Sequence, residues 1–167
     1  ERGIGMVQMP CPEQEAWGGV LKRHMLRVYG TARAEAPSSL LERALGPIVV
    51  GYTRLIYGRL ARRIAAQIDD YLSSGFSVLG VVAVDGSPSC GLHKSVDIAG
   101  SIPALARLDP ARLALAQQSS LLRRHSCEGR GIFIDELHRA LRRRKRDVPF
   151  VAHDLWDELD GRASRVQ

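Results

Sequence analysis

The sequence predicts an α/β fold with a mainly parallel sheet, and three observations carry that prediction. The run FSVLGVVAV (76–84) is nearly continuous in apolar and β-branched residues, as expected of a strand buried on both faces of a parallel sheet. Two further apolar stretches, IGMVQM (4–9) and VPFVAHD (148–154), read as short strands, the first closed by Pro10. Helical patterns lie between these strands, and strand–helix alternation is the signature of this fold class. At 167 residues the chain fits one domain, 1–167, with room for a hydrophobic core.

Taken in order, IGMVQM opens the chain's structure. EAWGGVLKRHMLRVYG (15–30) is helical in part, interrupted by Gly18 and Gly19. SSLLERAL (38–45) has serine caps, apolar residues at helical spacing and a stop at Gly46. The clearest helix covers about 53–73, where Leu60, Ile64, Ile68 and Leu72 form the apolar stripe and Arg59, Arg62, Arg63 and Asp69 lie outside it. After the 76–84 strand, residues 92–128 hold turn signals and a short helical stretch near 110–123, with no strand expected. GIFIDELHRALRRRK (131–145) is a helix announced by Gly129 and Gly131. VPFVAHD follows as a strand and DLWDELD as a terminal helical turn.

Composition narrows the function. With 45% hydrophobic and 25% charged residues the chain resembles an ordinary globular protein. No apolar run approaches the roughly eighteen residues of a membrane span, and no signal-peptide pattern precedes the first strand. The net charge of +6 and pI of about 9.7 raise the question of an anionic partner. Yet 21 of the 24 basic residues are arginine, which together with abundant Ala, Leu and Gly points to coding bias in a GC-rich genome. The densest basic run, LRRRKR (141–146), closes a helix whose dipole it complements. No aromatic residues are interleaved for base stacking, which disfavours nucleic acid as a partner. Three cysteines are too few for a secreted disulfide framework, so a reducing cytoplasm is expected.

In a parallel sheet the loops at the carboxyl ends of the strands gather along one edge, where ligands bind. Cys11 follows the first strand, Cys90 follows the 76–84 strand, and His153 lies at the end of the last, so the three are expected at that edge. DGSPSCG (85–91) packs turn-formers around Cys90: Asp85–Gly86 and Ser87–Pro88 break the strand, and Gly91 permits close backbone approach. Backbone N–H groups in such a turn can point at an anion or a cluster sulfide. PCPE stiffens the backbone around Cys11 with Pro10 and Pro12 and places Glu13, a candidate acid/base, two residues on. Cys127, beside His125 in HSCEGRG, reads equally as a third ligand or an incidental loop cysteine. His24, His93 and His138 have no metal-ligand spacing, and GRGIF lacks a full phosphate-binding fingerprint.

QMPCPE, GVVAVDGSPSCG and GRGIFIDEL, in that order and followed by VPFVAHD, resemble the thiouracil desulfurase family and its desulfidase relatives over residues 4 to 154. The resemblance implies a Rossmann-like three-layer α/β domain carrying a [4Fe–4S] cluster on three cysteines. In that family the open iron takes sulfur from a thiolated small substrate, typically a thiolated nucleobase. By position, Cys11 and Cys90 correspond to two ligands, Glu13 and Ser87 to the acid/base and polar groups beside the substrate, and Ser89 to a further polar group. The family's remaining ligand lies on a strand upstream of the CPE strand. This chain is expected to lack that strand, with Cys127 as the alternative ligand. Two other readings stand beside the hydrolytic desulfidase: a non-enzymatic α/β module holding a metal or anion, and a cysteine-nucleophile hydrolase using His153. Arg23, Arg27 and Arg33 read either as contacts for a phosphate-bearing substrate or as surface.

Overall fold

The structure, a computed structural model, describes residues 3–18, 40–97, 120 and 123–162. Its elements in chain order are α1 (Pro12–Trp17), α2 (Leu40–Ser73), β1 (Val81–Asp85), β2 (Lys94–Val96), β3 (Ser126–Glu128), α3 (Ile132–Arg143), β4 (Phe150–Asp154) and α4 (Leu155–Leu159). β1 and β4 pair in parallel, Val81 opposite Phe150 through Asp85 opposite Asp154, and α3 lies in the crossover between them. A parallel pair requires such a crossover, because a tight hairpin can join only antiparallel strands. The result is an α/β arrangement with a small parallel sheet.

The core forms where the apolar stripes of α2 and α3 meet the inner face of that sheet. Tyr57, Leu60, Ala61, Ile64, Ala65 and Ile68 recur at helical spacing on α2, and all are buried. Leu72 packs against the same cluster as a partly buried residue, so the stripe expected from the sequence is the one observed. Against it α3 sets Phe133, Ile134, Leu137 and Leu141, each almost wholly enclosed. Each such side chain contributes about 1.5–3 kcal/mol on leaving water. Phe133 meets Tyr57 edge-on at 6.5 Å between ring centroids. Where α3 ends, Arg144 and Arg146 close on Asp69 of α2, and Arg146 also reaches Ser73. Part of the LRRRKR run is thereby absorbed in joining two helices.

The structure corrects several expectations. Residues 4–9 form no strand: they are irregular, with Ile4, Met6 and Val7 at 68%, 98% and 61% exposure. A strand needs a ladder partner, and among the described residues β1 pairs with β4 alone. Of the FSVLGVVAV run only 81–84 belongs to a strand, β1, which is buried on one face; Val82 is 53% exposed while Val81 and Ala83 are enclosed. A continuous apolar run therefore overstated the burial, because the helix-bearing core covers one side of the strand. The helix expected to stop at Gly46 instead continues from Leu40 to Ser73. Gly46 costs only about 1 kcal/mol within a propagating helix, which the packed stripe downstream outweighs. Two short strands, β2 and β3, pair antiparallel within the segment read as loop and helix. The helical stretch expected near 110–123 lies almost entirely outside the described residues, as do residues 19–39 with Arg23, His24, Arg27 and Arg33.

Candidate functional site

Two segments far apart in sequence build the site, and each is held by its own local chemistry. Cys11 is the N-cap of α1, Pro12 occupies the first helical turn where its missing N–H costs nothing, and Glu13 and Glu15 complement the helix dipole. Ala16 buries this helix in the core. Tyr52 of α2 donates its hydroxyl to the Ala16 carbonyl at 3.3 Å, and the Trp17 and Tyr52 rings lie 5.1 Å apart. Those contacts fix where Glu13 can reach.

The second segment is the turn after β1. Gly86 takes φ +87° and lies so close to Trp156 that an added Cβ would sit 2.8 Å from the indole. The chain then folds back on β1, with the Val84 N–H donating to the Cys90 carbonyl at 2.9 Å. Buried Asp85 organises the return: one carboxylate oxygen accepts the backbone N–H groups of Leu92, His93 and Lys94 at 2.7, 2.9 and 3.2 Å. The Ser89 carbonyl accepts from Phe133 and Ile134 at 3.1 and 3.3 Å, satisfying two otherwise orphaned donors of α3. Gly131, the N-cap of α3, approaches so closely that a Cβ there would fall on the Ser89 carbonyl. The serine–cysteine turn and the start of α3 are thus one interlocked unit.

These two segments converge through Glu13. One of its oxygens accepts a short hydrogen bond from the Ser89 hydroxyl, and the other accepts from the Cys11 thiol at 3.3 Å. Ser89 lies 3.3 Å from the Cys90 sulfur and 3.4 Å from the Ser87 hydroxyl, which in turn accepts the Cys90 N–H at 3.1 Å. Cys11, Glu13, Ser87, Ser89 and Cys90, all singled out from sequence, therefore form one connected cluster. Ser95 supports it from β2, its hydroxyl reaching the Pro88 carbonyl at 3.4 Å.

Cys127 stands on β3, exposed and in register with Ser95 across the β2–β3 pair. His153, on β4 opposite Val84, has Nε2 2.9 Å from Glu158. Asp85 is the residue that sequence reading undervalued: it appeared only as a strand breaker. A signal existed in its position, an acid closing an apolar strand where burial forces it to find donors.

Burial pushes the Cys90 thiol up to about 11; hydrogen bonding with Ser89 and Ser87 opposes the rise, while the charge of Glu13, and of Cys11 once ionised, adds to it. Cys11, exposed as a residue, is raised as well, first by partial desolvation of its sulfur and then by Glu13, against backbone N–H groups of Gln14 and Glu13 that favour the thiolate. Both thiols are thus protonated at neutral pH. Alkylation of Cys90 by iodoacetamide is expected to accelerate about tenfold per pH unit between pH 7 and 10, since only the thiolate reacts. Glu13→Gln removes a repelling charge, lowers both thiol pKa values and speeds the reaction. Site-resolved mass spectrometry in a Cys127→Ser background measures this; a plateau by pH 8, or slower labelling in Glu13→Gln, would contradict the arrangement.

Thiolates are soft ligands suited to iron–sulfur clusters, and of the five side chains the Cys11 and Cys90 thiols match that donor chemistry, whereas the carboxylate and two hydroxyls do not. The fit is partial, because Cys11 and Cys90 are two of the three thiolates that the sequence resemblance calls for. Among the described residues no three His, Cys, Asp or Glu side chains form a ready metal-holding group. Among them, too, no helix is long and apolar enough to cross a membrane. Comparison of the chain with protein-family models, curated proteins and solved structures returned no match.

Proposed function

We propose that the protein is a hydrolytic desulfidase of the thiouracil desulfurase type, on a Rossmann-like scaffold, acting on a thiolated small molecule such as a thiolated nucleobase. The observation that carries this reading is the hydrogen-bonded chain Cys11–Glu13–Ser89–Cys90, which couples two thiols to one carboxylate. Cys11 and Cys90 would hold a [4Fe–4S] cluster, which when bound supplies a soft Lewis acid for the substrate sulfur. Because both thiols start protonated, loading such a site releases protons, and affinity rises with pH.

The residues of the chain account for the rest of the reaction. When Cys11 is a thiolate it no longer donates to Glu13, and the freed carboxylate oxygen can accept a proton from water. Ser89 holds the other oxygen and so fixes the direction in which Glu13 accepts. Ser87, hydrogen-bonded to the Cys90 N–H and beside Ser89, would orient the substrate or return the proton. The balance is thiocarbonyl plus water giving carbonyl plus hydrogen sulfide, with no net redox change at carbon.

Anaerobic reconstitution with iron and sulfide, followed by turnover of 2-thiouracil, tests the proposal. Bound iron, sulfide and sulfide release from substrate are expected together, and Cys90→Ala is expected to lose both cluster absorbance and turnover. Retention of both in Cys90→Ala would overturn the reading. A stable cluster without turnover of any thiolated base would instead mark a non-enzymatic metal-binding module.

A further inference from the structure

A groove of about 230 Å³ opens between residues 92–93, Arg130, α3 and residues 148–150, and no residue of the cysteine cluster lines it. Its polar lining consists of His93, Arg130 and His138, and its floor of Leu92, Ile134, Val148 and Phe150. None of the seven is acidic. Two backbone hydrogen bonds set the polar groups side by side: Gly129 donates to the His93 carbonyl and Gly131 to the Gly91 carbonyl, both at 2.9 Å. Arg130 is pinned between those two points, next to His93. His138 is oriented from the helix side by an edge-on contact with Phe150 at 5.6 Å.

Four carboxylates on the surrounding elements are engaged elsewhere, and Glu128 and Asp147, close in sequence to Arg130 and Val148, lie outside the groove's lining. Asp85 accepts backbone N–H groups, Asp135 and Glu136 pair with Arg139, and Asp154 pairs with Lys94. Among the described residues the Arg130 guanidinium forms no ion pair. An unpaired guanidinium flanked by two imidazoles, over an apolar and aromatic floor, presents donors for an anion and a surface for its uncharged part.

We propose that this groove is a second binding site, separate from the cysteine cluster, for a small oxyanion carrying an apolar or aromatic body. Arg130 receives the carboxylate or phosphate head with His93 and His138 beside it, and the body lies over Ile134 and Phe150. The head can come from a carboxylic acid or a phosphate ester, because both present paired oxygens to a guanidinium.

Titration of the ¹⁵N-labelled full chain with benzoate, phenyl phosphate and inorganic phosphate, followed through the His93 and His138 imidazole resonances, tests the site. Saturable shifts are expected with benzoate or phenyl phosphate, the tighter of the two identifying the head group. Arg130→Gln is expected to weaken binding about tenfold or more while leaving the melting temperature unchanged, since Arg130 is exposed. Absence of saturable shifts, or unchanged affinity in Arg130→Gln, would overturn the proposal. Inorganic phosphate binding as tightly as phenyl phosphate would remove the role of the apolar floor and overturn it equally.

Discussion

Glu13→Gln in the reconstituted protein is expected to lower turnover of a thiolated nucleobase by about 10²–10⁴-fold, the usual contribution of a positioned acid/base. Glutamine is nearly isosteric and its carbonyl can still accept from Ser89, so the cluster of side chains keeps its shape. What it cannot do is accept a proton at neutral pH. Bound iron and sulfide are therefore expected to stay at wild-type levels, because Cys11 and Cys90 are untouched. Loss of turnover with retained cluster separates a chemical role from a structural one. A fall smaller than tenfold would assign the proton transfer to another group.

Gly131→Ala is expected to give the largest loss of stability among single-methyl additions, about 3 kcal/mol or more. The added Cβ would lie 2.2 Å from the Ser89 carbonyl oxygen, a backbone atom with no rotamer to escape into. The turn would have to move away from α3, breaking the bonds from Phe133 and Ile134 to that carbonyl. A shift of about 6–12 °C in melting temperature follows for a chain of this size. Gly91→Ala is expected to behave similarly, since its Cβ would meet the Lys94 carbonyl. Gly51→Ala is the control: it lies in α2 with open space around it, so alanine is expected to stabilise by about 0.5–1 kcal/mol. Thermal unfolding of the three variants checks the set, and equal behaviour of Gly131→Ala and Gly51→Ala would refute the interlocked turn.

The α2 stripe, α3 and β4 were legible because their signals are local. Leu60, Ile64 and Ile68 announce a face by spacing alone, and Gly131 marks a helix start by its place before an apolar run. The paired cysteine turns were legible as composition, since few loops concentrate Ser, Pro, Cys and Gly around one thiol. Residues 4–9 misled because apolar content marks a segment that could be a strand, while the ladder partner that makes it one lies elsewhere in the chain. β2 and β3 were missed for the converse reason: three residues each are too short for any periodicity, and the turn toward β2 depends on the Asp85 carboxylate collecting N–H groups seven to nine residues on, a pattern that apolar spacing does not report.

By itself the sequence determined which residues are candidates for chemistry and which helices carry the core, because residue type and 3.6-residue spacing are properties of short stretches. Tertiary structure alone decided that Glu13 meets Ser89 and that Cys11 joins the Cys90 turn, although the described residues before Cys11 form no strand. It likewise set Arg130 beside His93 and left Cys127 on β3. The physical reason is that those meetings depend on how α1 docks on α2 through Ala16 and Tyr52, and how α3 begins on the Ser89 carbonyl. Each joins residues tens of positions apart, a separation that local propensity does not encode.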